Sequence, residues 1–343
     1  MISPLHLEYI WLDGNTPASL RSKVKIVSAE DYPNAYDVST LPIWNFDGSS
    51  TNQADTVKSD CVLRPVRAYR HPNNYHSQIL VWCEVENSDL TPHISNTRHN
   101  LSEAEDYWWG FEQEFFIMKD GKPLGWPADS DPAPQGPYYC AVGNGNVAGR
   151  DIMTHFVENC LRAGLTITGV NAEVAIGQWE YQLFSKGAKQ ASDDLWISRY
   201  LLYLVGEEFE VDINIHPKPL GKDKDWNGSG MHTNFSNSKM REEGGEAMFR
   251  GIISSLEQNH DAHIAVYGED NDQRLSGKHE TCSINEFRAG NSDRGASIRI
   301  PLAVQEEWKG YLEDRRPSAN ADPYLVTKII VESVEQALWK KIN

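Results

Sequence analysis

The segment "YWWGFEQEFFIM", residues 107 to 118, limits what this chain can fold into more than any other stretch. Its aromatic and aliphatic content predicts a core β-strand, and side chains of a strand alternate between faces. Glu112 and Glu114 therefore share one face, while Phe111, Gln113 and Phe115 share the other. Two like charges on a buried strand face cost several kcal/mol each, as an order-of-magnitude estimate, unless that face is wet, protonated or neutralised by cations. The remaining sequence has to supply the choice.

Three further segments bring acids and donors into similar positions. In "NAEVAIGQWEYQ", Glu173 and Glu180 are seven residues apart, which would put them on opposite faces of one unbroken strand. Gly177 offers a turn between two strands, and a hairpin aims both carboxylates inward. In "SGMHTNFS", His232, Asn234 and Ser236 alternate with apolar or small neighbours, and in "GYLEDRRP" Tyr311, Glu313 and Arg315 do the same. Five glutamates and one histidine thus gather on predicted strands of one sheet. Such an oxygen-dominated donor set with one imidazole suits hard divalent cations such as Mg2+ or Mn2+.

The chain around these motifs is globular in composition, with 343 residues of which 40% are hydrophobic. That length gives two domains or one large one. Residues 1–95 hold short extended runs, "LHLEYIWL", "SKVKIV" and "QILVWCEVE", separated by turns, and predict a small, mostly β domain. A polar linker, residues 87–106, leads into the second domain, residues 96–343, where helices and strands intermix. "DIMTHFVENCLRAG" and "EAMFRGIISSLEQNH" show helical spacing. "SDDLWISRYLLYLVGEEF" predicts a helix capped by Ser192, and "DPYLVTKIIVESVEQALWKK" one entered through Asp322-Pro323. An α+β or α/β arrangement fits this second domain, and the chain as a whole is read as α+β.

Charge and cysteine usage narrow the function. With 32 basic residues against 49 acidic ones the net charge is −17, which argues against nucleic acid or an anionic membrane as partner. Cys61, Cys83, Cys140, Cys160 and Cys282 are scattered and form no C-x-x-C pair, which favours free thiols in a cytoplasmic setting. No apolar run approaches the ~18 residues of a membrane helix. There is no G-x-x-x-x-G-K-[ST] loop, and "GNGNVAGRD" is only a near miss to a dinucleotide fingerprint, better read as a loop entering a helix at Asp151.

Taken together, "NFDGSST", "FEQE", "NAEVAIGQWE", "NGSGMHTNFS", "RLSGKHET", "RGASIRIP" and "GYLEDRRPSANADPY" resemble, in the family's order, the glutamine synthetases of the eukaryotic-like type II. The resemblance covers residues 5–330. It implies an N-terminal β-grasp domain, a catalytic domain with a curved antiparallel sheet flanked by helices, and active sites between subunits of a homo-oligomer, a decamer of two pentameric rings. The substrates it implies are glutamate and ammonium, and the cofactors ATP with two or three Mg2+ or Mn2+ ions per active site.

Carried onto this sequence, the resemblance implies one metal site at Glu114, Glu173 and Glu180 and another at Glu112, His232 and Glu313. ATP would lie near Trp108, Asn234, Ser236, Arg299 and Tyr311. Glutamate would be held around Trp226 and Gly228 by Arg274, Arg294 and Arg315, in keeping with the bidentate fit of guanidinium to carboxylate. Asp47, which the local sequence equally allows as a simple turn residue, matches the residue that takes the ammonium proton, with Ser50 beside it. Glu280 matches a flap residue that closes the site against water. A ligase acting on a larger amine would share the metal and nucleotide motifs, and Asp47 with Ser50 favours ammonia. A non-catalytic relative would have lost metal carboxylates or Arg315, all of which are present. Two departures stand out: "KPLGKDKDWNGSG" is longer than the family's usual connection, and Phe184-Ser185 replace a common Gly-Pro.

Overall fold

The computed structural model describes residues 4–340 except 75, 134, 223 and 224. The chain first forms β1 (Pro4–Leu12), β2 (Leu20–Ser28), β3 (Trp44–Asp47), β4 (Asp60–Arg70) and β5 (Gln78–Glu86). These make a five-stranded sheet in the order β2-β1-β5-β4-β3, with β1 parallel to β5 and the other neighbours antiparallel. Leu7, Tyr9, Leu63 and Val81 close its own apolar core.

The second sheet is built from β6 (Trp108–Lys119), β7 (Lys122–Pro123), β8 (Ile167–Ala172), β9 (Gln178–Lys186), β10 (Asp212–Asn214), β11 (Met231–Ser236), β12 (Ala289–Asn291), β13 (Ile298–Ile300) and β14 (Leu312–Asp314). Its main path runs β12-β13-β14-β11-β6-β9-β8, while β7 and β10 pair the far end of β6. The expected antiparallel sheet is in fact mixed, because β12 and β13 run parallel. Helices α1 (Arg150–Ala163), α2 (Ala188–Glu208), α3 (Ser238–Glu242), α4 (Glu246–Gln258), α5 (His260–Ile264), α6 (Leu302–Glu307) and α7 (Pro323–Lys340) accompany it. Among the described residues no helix is long and apolar enough to cross a membrane.

Strand β6 behaves as its alternation requires. Trp109, Phe111, Gln113 and Phe115 are all fully buried, and the aromatic members join a core with Ile197 and Leu201 of α2. Gln113 is the polar exception and is satisfied: its Oε1 accepts from Arg199 Nε at 2.9 Å, and Arg199 also donates to the carbonyls of Ala319 and Ala321. With this face packed, Glu112 and Glu114 must project from the other one. Helix α7 begins as expected, with Asp322 Oδ1 accepting from Tyr324 N at 2.9 Å and Pro323 in the first turn.

Helix α2 departs from expectation. It starts at Ala188 instead of after Ser192, whose Oγ donates back to the Ala188 carbonyl at 2.8 Å from inside the helix. The reason is tertiary: the Gly187 and Ala188 amides donate to the carbonyls of Tyr107 and Glu103, so the first orphan donors need no side-chain cap. The two sheets meet over this helix. Asp193 accepts from Arg67, Arg98 and Tyr324, and Asp194 from Tyr69 and Ser185. Trp82 Nε1 adds a 2.8 Å bond to Tyr324.

Candidate active site

Strand register assembles the site as a grid on the open face of the second sheet. On β6, Glu114 lies opposite Glu180 of β9, and Glu112 lies between Gln182 of β9 and His232 of β11. Next come Gly110 between Phe184 and Asn234, then Trp108 between Lys186 and Ser236. Glu313 of β14 sits opposite Asn234 on one side and Arg299 of β13 on the other. Glu173 follows β8 directly, and the turn to β9 is closed by the Glu173 amide bonding to the Gln178 carbonyl at 2.9 Å. Gly177 in that turn has a φ of +76°, a conformation that favours glycine.

A cavity of about 460 Å³ opens above this grid, lined by Glu112, Glu114, Glu173, Glu180, His232 and Glu313 together with Glu280, Arg294, Arg299 and Arg315. Every described residue of its wall lies at or beyond Glu112. Donor atoms of Glu114, Glu173 and Glu180 lie within 4.8 Å of one another, and so do those of Glu112, Glu180 and His232. The first expected set is thus brought together. In the second group Glu180 stands where Glu313 was expected, because the Glu313 carboxylate is bound by two guanidinium groups, Arg299 Nη1 at 2.5 Å and Arg315 Nη1 at 2.6 Å. Glu313 Oε1 remains 3.9 Å from His232 Nδ1.

The carboxylates are oriented by neighbours on the same face. Asn171 Nδ2 donates to Glu173 at 3.0 Å, Gln182 Nε2 to Glu180 at 3.1 Å, Asn234 Nδ2 to Glu112 at 2.8 Å and the Gly230 amide to Glu114 at 2.5 Å. Asn171 and Gln182 were missed from sequence, although each stands two residues from a glutamate and so on its face. Burial raises the pKa of Glu114, Glu173 and Glu180, and the neighbouring carboxylates add to the rise in Glu173 and Glu180. Burial, with Arg315 and Arg274 nearby, holds His232 well below its usual value and keeps the ring neutral. A neutral imidazole among carboxylate oxygens fits hard divalent cations, which would relieve the repulsion that raises these values.

At the other end of the grid Trp108 and Tyr311 are both exposed. The Arg241 guanidinium lies 4.1 Å from the Trp108 ring centroid and Lys186 Nζ 4.6 Å, and Phe184 meets the ring edge-on. Arg241 is fixed by bonds to the Ser236 carbonyl and hydroxyl and to the Asp106 carbonyl. Neither Arg241 nor Lys186 was singled out from sequence. Trp226 is buried against Trp126, and the Gly228 carbonyl accepts from Gln178 at 2.9 Å. Arg294 reaches the cavity. Arg274 does not line it, being buried behind His232.

Asp47, the last residue of β3, and Ser50, in the turn that follows, stand apart from the cavity. Ser50 Oγ donates to Asp47 Oδ2 at 2.9 Å and Ser49 to Oδ1, and these bonds lower the Asp47 pKa and keep it ionised. Glu280 does line the cavity, and it follows His279 with both residues at positive φ, +53° and +61°.

Known proteins match this picture. The glutamine synthetase catalytic-domain model matches residues 97–343. Glutamine synthetase of Bradyrhizobium diazoefficiens is 49% identical over 340 residues, covering 98% of this chain and 97% of its own. That of Streptomyces viridochromogenes is 49% identical over 345 residues, with 97% of each chain covered. A chloroplastic glutamine synthetase of Chlamydomonas reinhardtii is 46% identical over 344 residues, covering 95% of this chain and 90% of its own. With a family model spanning most of its length and relatives this similar end to end, the chain belongs to the glutamine synthetase family.

Proposed function

We propose that this protein makes L-glutamine from L-glutamate and ammonia, driven by ATP and passing through γ-glutamyl phosphate. The observation that carries the reading is the convergence of five buried or half-buried glutamates and a neutral histidine, rimmed by Arg294, Arg299 and Arg315, in one cavity. Two or three divalent cations, Mg2+ or Mn2+, would be held by Glu114, Glu173 and Glu180 on one side and by Glu112, His232 and Glu313 on the other, and would draw charge from the transferring phosphoryl group. The base would take the slot at Trp108, Ser236 and Tyr311. From there the strand face leads past Asn234 to the acids, four residues or about 13 Å along β6, a span suited to an extended nucleoside triphosphate.

Arg299 and Arg315 have the phosphoryl-facing role. Each is tied to Glu313 through Nη1, while the buried Nε of each has no hydrogen-bond partner among the described residues. Arg294 and Arg315 would hold the carboxylates of glutamate near Trp226 and Gly228. Water competes for an acyl phosphate, so Glu280, in its turn of positive φ, is assigned to closing the cavity. Asp47 with Ser50 would bind ammonium and take its proton.

Because no described residue of the first sheet reaches the cavity wall, Asp47 is assigned to the site of a neighbouring subunit, in a decamer of two pentameric rings. We assign residues 1–95 to a β-grasp domain, which the parallel β1–β5 pair at the centre of its sheet supports, and residues 96–343 to the catalytic domain. Five free cysteines agree with a cytoplasmic setting. The test is γ-glutamyl hydroxamate formation from glutamate, ATP and hydroxylamine with and without divalent metal, alongside phosphate release with ammonium or a bulkier amine. Metal-dependent hydroxamate and a response to ammonium support the reading. A response to the bulkier amine alone would assign the protein to a different γ-glutamyl ligase.

A further inference from the structure

Glu280 has no hold of its own on the position it occupies. Its side chain lines the cavity, yet no described residue hydrogen-bonds or ion-pairs with its carboxylate. The turn that carries it is fastened at its base: Ser276 bridges to Ser283, the Ile284 amide donates to the Leu275 carbonyl at 2.9 Å, and Thr281 Oγ1 donates to the Lys278 carbonyl at 2.7 Å. At its tip, His279 and Glu280 are the one adjacent pair of non-glycine residues, among the described residues, that both take positive φ. Side chains disfavour that backbone, so the pair persists only where an outside contact enforces it.

His279 supplies the contact. Its Nε2 lies 2.8 Å from Oδ1 of Asp225, and because a carboxylate only accepts, Nε2 is the donor. The imidazole is largely covered, with 14% of its side chain exposed, whereas that of Asp225 is 80% exposed. Asp225 thus reaches in from the surface, and replacing it disturbs no packing. The segment it stands on is fixed. Trp226, next in sequence, is buried against Trp126 with ring centroids 4.8 Å apart, and its carbonyl accepts from the amine of buried Lys218. The Gly228 carbonyl accepts from Gln178 at 2.9 Å, and the Ser229 amide donates to the Pro217 carbonyl at 2.9 Å.

We propose that His279 is a positioning residue: its bond to Asp225 fastens the flap turn to the segment of Trp226 and Gly228 and so holds Glu280 over the cavity. The inference rests on the closing role given to Glu280 above and adds what enforces it. Neither His279 nor Asp225 needs to touch a substrate. Without the bond the tip is free to leave its disfavoured backbone, and Glu280 leaves the cavity with it. Water then reaches γ-glutamyl phosphate. Its oxygen attacks the γ-carbonyl carbon, the bond from that carbon to the phosphate oxygen breaks, and one proton passes to solvent, which returns glutamate and phosphate in place of glutamine.

The test gives the full-length protein ATP, glutamate, ammonium and Mg2+ and measures phosphate released per glutamine formed. The wild type is expected to release about one. D225A and H279N should each raise the ratio about threefold or more, while KM for ATP stays within about twofold of the wild type. Asn tolerates the left-handed backbone but is too short to reach Asp225, so H279N removes the bond without adding strain. D225N keeps an acceptor oxygen and should restore the wild-type ratio. The double variant D225A/H279N should be no worse than either single one, since both lose the same bond. An unchanged ratio in either D225A or H279N would overturn the proposal, as would D225N as leaky as D225A, or a double variant whose increase is the product of the two single ones. E280A separates this inference from the reading beneath it. A wild-type ratio in E280A would strike the closing role of Glu280 and this inference with it, whereas a leaky E280A beside tight D225A and H279N would strike this inference alone.

Discussion

Glu114 and Glu180 face one another across β6 and β9, both buried and both pushed toward the protonated form. Burial is the larger cause for each, and at Glu180 the carboxylates of Glu112, Glu114 and Glu173 add to it. A pair placed this way weakens the metal-free fold and gives a bound cation its affinity. Since the folded pKa of Glu180 lies above its unfolded value, the folded state holds the extra proton between the two. Stability therefore falls as pH rises through that window. E180Q should raise metal-free stability at alkaline pH by about 1–3 kcal/mol and flatten this slope. Differential scanning calorimetry with a chelator and with Mn2+ checks it: the wild type should gain Tm on metal addition and E180Q should gain much less.

A second titration runs the other way. His263 is buried between Tyr267, Ser333 and Arg316, and burial first, then Arg316, pushes its pKa down to about 3. The unfolded chain takes up that proton at the ordinary value of 6.5, the folded chain only near 3, so stability is lost as pH falls from 6.5 toward 3. Comparing urea midpoints of wild type and H263Q across this range should show the wild type losing ground below pH 6.5. Parallel curves would contradict the assignment.

Asp193 ties the first sheet to the second. Its carboxylate is fully buried and bound by Arg67 and Arg98, with Tyr324 completing the set. D193N leaves Arg67 without its ion-pair partner and Arg98 with Glu84 alone, and should cost about 3–5 kcal/mol in urea unfolding. A loss below 1 kcal/mol would mean that water reaches these arginines.

The nucleotide slot makes a kinetic prediction. Trp108 presents a 39% exposed indole whose position is set by the cations of Arg241 and Lys186. Stacking of a base on an aromatic ring is worth about 1–3 kcal/mol, so W108A should raise KM for ATP about tenfold while kcat changes little. A fall in kcat at unchanged KM would place the base elsewhere.

Much of the site was legible because strand alternation is local. The shared face of Glu112 and Glu114, and of His232, Asn234 and Ser236, follows from period two alone, and Gly177 announced the turn that brings Glu173 and Glu180 together. What stayed hidden depends on neighbours distant in sequence. Register between β6 and β9, not composition, decides that Glu180 belongs to both acid groups. The inward turn of Arg274, the guanidinium clamp on Glu313 and the union of Gln113 with the buried Arg199 are all long-range contacts. Ser192 reads as a cap because local sequence cannot show that the carbonyls of Glu103 and Tyr107 already serve the helix start.

Phosphoryl transfer to glutamate within a cation-loaded acid cluster is the step on which the proposed function depends. Its most direct test incubates the purified protein with ATP, glutamate and 15N-ammonium, with Mg2+ or Mn2+ or with EDTA, and counts labelled glutamine against ADP. The prediction is one amide-labelled glutamine per ADP with metal and none with EDTA. Labelled glutamine formed equally in EDTA, or ADP released with metal but without glutamine, would contradict it.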